Sequence, residues 1–275
     1  MALPVSGLCG RATQLVQLDS SNNDHILNLG HCATCQAVSG QLCTAYYLLQ
    51  GEPRSLDSLE EYQSDGVSRY FCETCGCQSF AYSKQTGQYF VASGLVDTPP
   101  QTKNARHWGV GDTWDGGLTS FLPGFLISGS NDAQDTVEQT NCNMATEDSR
   151  QLLAQCHCGG IELYITPPDS TSTEAWSPWP DLIIPYHSGP EAAENKEDIK
   201  WWLQDNRTKY MAGTCACRTC RLASGFPIQS WAFIPKSNIL TAANSPLTYD
   251  ALRISFASFA AAAEHQCSGI VRKDL

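Results

Sequence analysis

The chain has 275 residues, 42% hydrophobic and 16% charged, with a formal net charge of −11. No apolar run approaches the length that spans a bilayer, and an acidic excess repels phosphate backbones, so membranes and nucleic acids are poor partners for it. The length accommodates two domains of ordinary size.

In chain order, the first residues carry no basic segment followed by an apolar core, so no leader is expected and the cytoplasm is the default compartment. The closing Lys273-Asp274-Leu275 matches no retention signal. Strands are predicted over 13–18, 42–49, 79–82 and 89–92, where β-branched and aromatic residues gather between turn formers. Residues 128–149 are acidic and nearly free of large apolar side chains, which predicts a linker. Ile161, Leu163 and Ile165 alternate with Glu162, Tyr164 and Thr166 as in a half-buried strand. The stretch 166–200 is rich in turn formers and is predicted as an insertion. Helices are predicted at 196–203 and over the Ala-rich 251–264, with a further strand at 229–234. The sum is a mainly β protein.

Fourteen cysteines are the least ordinary feature of the composition. In a secreted chain they would suggest disulfides. Their grouping in close pairs argues instead for thiolates converging on a tetrahedral zinc, because neighbours two or three positions apart bridge each other only with strain. The motif Cys32-Ala33-Thr34-Cys35, with Ser39-Gly40 behind it, returns as Cys217-Arg218-Thr219-Cys220 with Ser224-Gly225. Cys9-Gly10 likewise returns as Cys158-Gly159. The two offsets differ, which places an insertion in the second copy. The expected organisation is copy one at 1–127, the linker at 128–149, and copy two at 150–275 with the insertion at 166–200.

Copy two holds Cys156-His157-Cys158-Gly159 and then Cys215-Ala216-Cys217-Arg218-Thr219-Cys220. Three ligands from one loop leave a fourth position open, the arrangement of catalytic zinc, although another side chain completing a closed site competes with it. Copy one adds Arg69-Tyr70-Phe71-Cys72-Glu73-Thr74-Cys75-Gly76, whose Cys-x-x-Cys-Gly turn is a zinc knuckle in many folds.

Cys-x-Cys-Gly, then Cys-x-Cys-x-x-Cys-Arg-x-x-Ser-Gly, then Arg-x-Phe-Cys-x-x-Cys-Gly together resemble the glutathione-dependent formaldehyde-activating enzyme family, which includes the centromere protein V group. The resemblance implies two Mss4-like, β-rich zinc-binding domains in tandem. It implies zinc as the cofactor and carbon–sulfur lyase chemistry on a glutathione-like small-molecule thiol and an aldehyde, as in S-hydroxymethylglutathione. The alternative is a non-catalytic zinc-stabilised scaffold or binding module.

Carried over by position, the resemblance implies a structural set of Cys9, Cys72 and Cys75 in copy one, with Gly7 where a further thiol is expected. Cys32 and Cys35 form its functional set, with Gly30 in the third place. In copy two it implies the opening pair Cys156 and Cys158 and the intact catalytic triplet Cys215, Cys217 and Cys220, without a closing knuckle.

Other residues have two readings each. Cys77 either replaces the thiol missing at Gly7 or is simply buried. His31 and His157 either bind metal or move protons, or stand by, since adjacent residues point to opposite sides. Trp201, Trp202, Trp231 and Tyr210 line a pocket or belong to a core. Arg69, Arg218 and Arg221 pair with substrate carboxylates or lie solvated on the surface.

Overall fold

The computed structural model describes residues 2–19, 25–100, 105–113, 118–119, 151–175 and 199–241. The expected linker at 128–149, the Ala-rich helix at 251–264, most of the insertion at 166–200, Cys142 and Cys267 lie outside the described residues.

Strands β1 (Ala2–Val5) and β2 (Gln14–Gln17) form an antiparallel pair. After β3 (Leu27–Gly30) the chain turns through Cys32 into the short helix α1 (Ala33–Ser39), which Gly40 ends at φ 66. There follow β4 (Thr44–Leu48), β5 (Leu59–Ser64), β6 (Val67–Cys72), β7 (Gln78–Ser83), β8 (Gln88–Ala92) and β9 (Ala105–Trp108). Seven of these strands make one sheet, in the order β5-β6-β7-β8-β4-β3-β9. The β5–β6 link is the two-residue Asp65-Gly66 turn, both residues at positive φ, which matches the twist of a hairpin. Only the last pairing, β3 with β9, is parallel, and it sets Trp108 beside Gly30.

Because strand side chains alternate between faces, β3, β4, β6, β7, β8 and β9 send alternate residues to one side, among them Gly30, Thr44, Tyr46, Arg69, Ala81 and Arg106. The intervening residues Leu29, Ala45, Phe80 and Val91 enter the main core with Val5, Val16 and Leu95.

The C-terminal described residues form β10 (Leu152–Gln155), β11 (Glu162–Ile165), β12 (Leu203–Gln204), β13 (Lys209–Tyr210), β14 (Ala212–Cys215), helix α2 (Arg218–Ser224), β15 (Gln229–Ala232) and β16 (Ile239–Thr241). The strands pair as β10-β11-β16, β12-β13 and β14-β15. The molecule is mainly β: the described residues contain two α-helices, each of seven residues.

The helix predicted at 196–203 is corrected where its residues are described. Leu203 N–H closes a turn on Lys200 O, and Leu203 then pairs with Tyr210 in a hairpin whose turn holds Asp205, Asn206 and Arg207 at positive φ. Trp202 Nε1 donates to Ser172 O at 2.9 Å, and Trp201 packs edge-on against Trp202 and Phe233. Satisfying the indole and pairing the backbone outweigh the modest helix propensity of Trp-Trp-Leu.

The two halves interlock. Phe226, 1% exposed, lies in the N-terminal core, edge-on to Tyr46 at 5.4 Å. Gly94 N–H donates to Gly225 O at 2.9 Å, and a Cβ on Gly94 would come within 2.6 Å of the Gly225 backbone. Ser230 N–H reaches Gln41 Oε1 at 2.9 Å, and His157 N–H reaches Ala37 O at 3.2 Å.

Candidate metal centre

Three segments bring Cys9, Cys72 and Cys75 together. Cys9 sits in the turn after β1, Cys72 ends β6, and Cys75 closes the turn that Gly76 completes at φ 70. Gly76 N–H bonds Cys72 O at 2.8 Å, which folds both sulfurs to one side. The three Sγ atoms lie within 4.8 Å of one another, and Cys9 Sγ is 3.4 Å from Cys72 Sγ. Thiolates around a tetrahedral zinc stand roughly 3.8 Å apart, given bonds of about 2.3 Å, so the trio fits such an ion. The Cys72 contact foremost pulls the Cys75 thiol below its usual range, and the same contact pushes Cys72 up. The Cys77 sulfur is fully buried 3.5 Å from where a Cβ on Gly7 would stand. Burial pushes it up to about 12, so outside a metal shell it is a neutral thiol.

A second trio forms at the junction of β14 and α2. Cys215 ends the strand, Cys217 caps the helix by accepting Cys220 N–H at 3.4 Å, and Cys220 lies one turn in. Their Sγ atoms also lie within 4.8 Å of one another, with Cys217 exposed. Hydrogen bonds from Cys220, first through its backbone N–H, and from Cys215 bring the Cys217 thiol down to about 7, while burial and its neighbours push Cys220 up to about 12. Three thiols gathered on one open turn suit a soft divalent ion. Arg221 anchors this helix to the N-terminal half through Gly94 O and Val96 O, and pairs with Asp97 at 3.3 Å. The exposed Arg218 stands beside the same carboxylate at 4.0 Å.

The β3–α1 junction repeats this shape with one sulfur fewer. Cys32 caps α1 as Cys217 caps α2, accepting Cys35 N–H at 3.3 Å. A Cβ on Gly30 would stand 2.8 Å from Cys35 Sγ and 2.6 Å from Thr44 Oγ1, so the space of a third side chain is taken. The Cys32 thiol foremost, with Thr44 and Arg69 against opposing burial, brings Cys35 down to about 6; the shared contact and burial push Cys32 up. Cys35, Thr44, Tyr46, Arg69 and Arg106 line a cavity of about 430 Å³ over the sheet.

Cys156 and Cys158 place their sulfurs 3.4 Å apart. Among the described residues, no third Cys, His, Asp or Glu forms a trio with that pair or with Cys32 and Cys35. His157 Nδ1 meets the Tyr62 hydroxyl, and the two rings stand edge-on. His31 is fully buried and stacks on His107, Nε2 to Nδ1 at 2.9 Å. Sequence reasoning missed Thr44, Tyr46, Arg106 and His107. Thr44 and Tyr46 share the alternation of the predicted strand at 42–49, whereas Arg106 and His107 arrive on a parallel strand for which no local pattern calls.

Fold and site together define a mainly β, thiol-rich domain able to hold metal at strand-to-turn junctions. Residues 5–110 match the family described as glutathione-dependent formaldehyde-activating enzyme. No curated protein and no solved structure matches the chain. No helix among the described residues is long and apolar enough to cross a membrane.

Proposed function

We propose that the protein is a zinc-dependent carbon–sulfur lyase of the formaldehyde-activating type, making or breaking the adduct of a glutathione-like thiol with an aldehyde. The observation that carries this reading is the convergence of Cys215, Cys217 and Cys220 on one partly open turn, in a chain whose residues 5–110 match the family. The likeness of the β14–α2 junction to the β3–α1 junction supports the tandem arrangement, with 1–127 and 150–275 as the two copies.

Zinc bound by the trio supplies Lewis acidity and one exchangeable position. Cys217 gives up its proton near neutrality and meets an incoming ion as a thiolate, whereas Cys220, pushed up to about 12, would lose its proton as the metal binds. Arg218, exposed on the first turn of α2, offers a guanidinium to a carboxylate of the thiol. The adduct forms as the thiol sulfur adds to the carbonyl carbon and the proton passes to oxygen; lysis is the reverse. Cys9, Cys72 and Cys75 would hold a structural ion, as Cys156 and Cys158 would in part. The scaffold reading draws on Gly7 and Gly30, which stand where thiols are expected, and on the crowding at Gly30.

Exchange NMR of glutathione with formaldehyde tests the proposal. The full chain should speed adduct exchange, Cys217→Ser should abolish the effect, and Cys32→Ser should keep most of it. Activity that survives Cys217→Ser and vanishes in Cys32→Ser reverses the assignment. No acceleration by the unmodified protein supports the scaffold.

A further inference from the structure

We propose that Cys32 and Cys35 form a redox-active dithiol that exchanges with small carboxylate-bearing disulfides entering the cavity over β3 and β4. This goes beyond the lyase reading and concerns the other junction.

Crowding at Gly30 comes first. The Cys35 sulfur and the Thr44 hydroxyl fill the room a third ligand would need, which leaves two sulfurs rather than a metal-binding trio. The bond from Cys35 N–H to Cys32 Sγ, at 3.3 Å, folds both side chains into a single turn, close enough for one sulfur to follow the other. Cys35 lines the cavity and Cys32 does not, which assigns Cys35 as the attacking sulfur and Cys32 as the resolving one.

The cavity has features that await a ligand. Tyr46, 9% exposed, lines it with a buried hydroxyl that has no hydrogen-bond partner. Arg106 Nε is likewise buried and unpartnered, its guanidinium 5.4 Å over the Trp108 ring. Arg69, 5% exposed, lines the same wall and donates to Ser64 Oγ at 2.7 Å. Unsatisfied donors in a buried wall carry a standing cost that carboxylate or amide oxygens of a ligand would remove. A volume of about 430 Å³ suits a peptide-sized molecule.

The chemistry needs only the disulfide as oxidant. Cys35 thiolate attacks one sulfur of it; the new bond joins Cys35 to that half, the original S–S bond breaks, and the other half leaves as a thiolate. Cys32, giving its proton to solvent, then attacks the Cys35 sulfur and releases the second half. Two protein thiols are oxidised to one disulfide as one small disulfide is reduced to two thiols. The reverse run reduces the pair.

The test uses the full chain, residues 1–275, zinc-supplemented, equilibrated in buffers of varied oxidised-to-reduced glutathione ratio, acid-quenched, alkylated and peptide-mapped. A Cys32–Cys35 disulfide should grow in as the ratio rises. Cys32→Ser should trap glutathione on Cys35. Tyr46→Phe, which removes only the hydroxyl, and Arg106→Gln should each slow that trapping by about tenfold, while leaving trapping of uncharged hydroxyethyl disulfide unchanged. Three results would overturn the proposal: both cysteines still alkylating in fully oxidised buffer, equal protection at every ratio that chelation removes, or equal slowing of both disulfides by the cavity variants. Lyase activity lost in Cys217→Ser is read separately, so the two proposals fail independently.

Discussion

At the scale of single residues, two glycines and a histidine decide what the N-terminal segment can do. Gly7 and Gly30 both stand where the resemblance expects a thiol, and a neighbouring sulfur, Cys77 or Cys35, lies beside each. The glycines are plain in the sequence, but what fills their space is not, because Cys77 reaches Gly7 only once β1 and β6 are folded. His31 makes the residue-scale prediction. Burial foremost, then His107, lowers it from 6.5 to about 4, so the folded state holds it neutral while the unfolded chain takes up a proton. Its contribution to stability is full above about 6.5 and is lost as pH falls toward 4. Denaturant melts of the protein and of His31→Asn at pH 7, 6 and 5 should show the gap between them narrowing with acid. Parallel curves would remove His31 from the account.

At the scale of elements, the strand–Cys–helix junction is the repeated unit. Its signature, Cys-x-x-Cys followed by Ser-Gly, stands in the sequence twice, and the Gly is the C-cap that ends each helix at positive φ. Seven residues are too few to show periodicity, so α1 and α2 were legible only as motif, not as helix. β2, β4, β11 and β15 fall inside predicted segments, while β7 and β8 start one residue before theirs. β3, β5 and β9 are poorer in apolar alternation and owe their places to pairing partners far along the chain. The end of α2 is where an element from one half enters the other. Phe226→Ala should cost about 3–5 kcal/mol in denaturant unfolding, with faster amide exchange at Phe80 and Val91 as well as around α2. Loss confined to residues 199–241 would show that the side chain serves its own half alone.

At the scale of the whole molecule, the two thiol trios join segments of the chain. Cys9, Cys72 and Cys75 tie the turn after β1 to the end of β6, and Cys215, Cys217 and Cys220 tie β14 to α2. Metal held there is folding free energy, because the unfolded chain has no preformed site. Strong chelation should therefore lower the melting temperature and release the N-terminal segment; an unchanged melt after verified metal loss would contradict this. Both clusters were legible by spacing and order. The cavity over the sheet was not, since six strands contribute to it and the sequence shows no register. The account rests most on metal at the two trios, and metal content per chain tests that directly. The unmodified protein should carry two zinc ions, and Cys75→Ser and Cys217→Ser should each lose one. Metal-free protein after purification with zinc present, or the same content in both variants as in the parent, would contradict it.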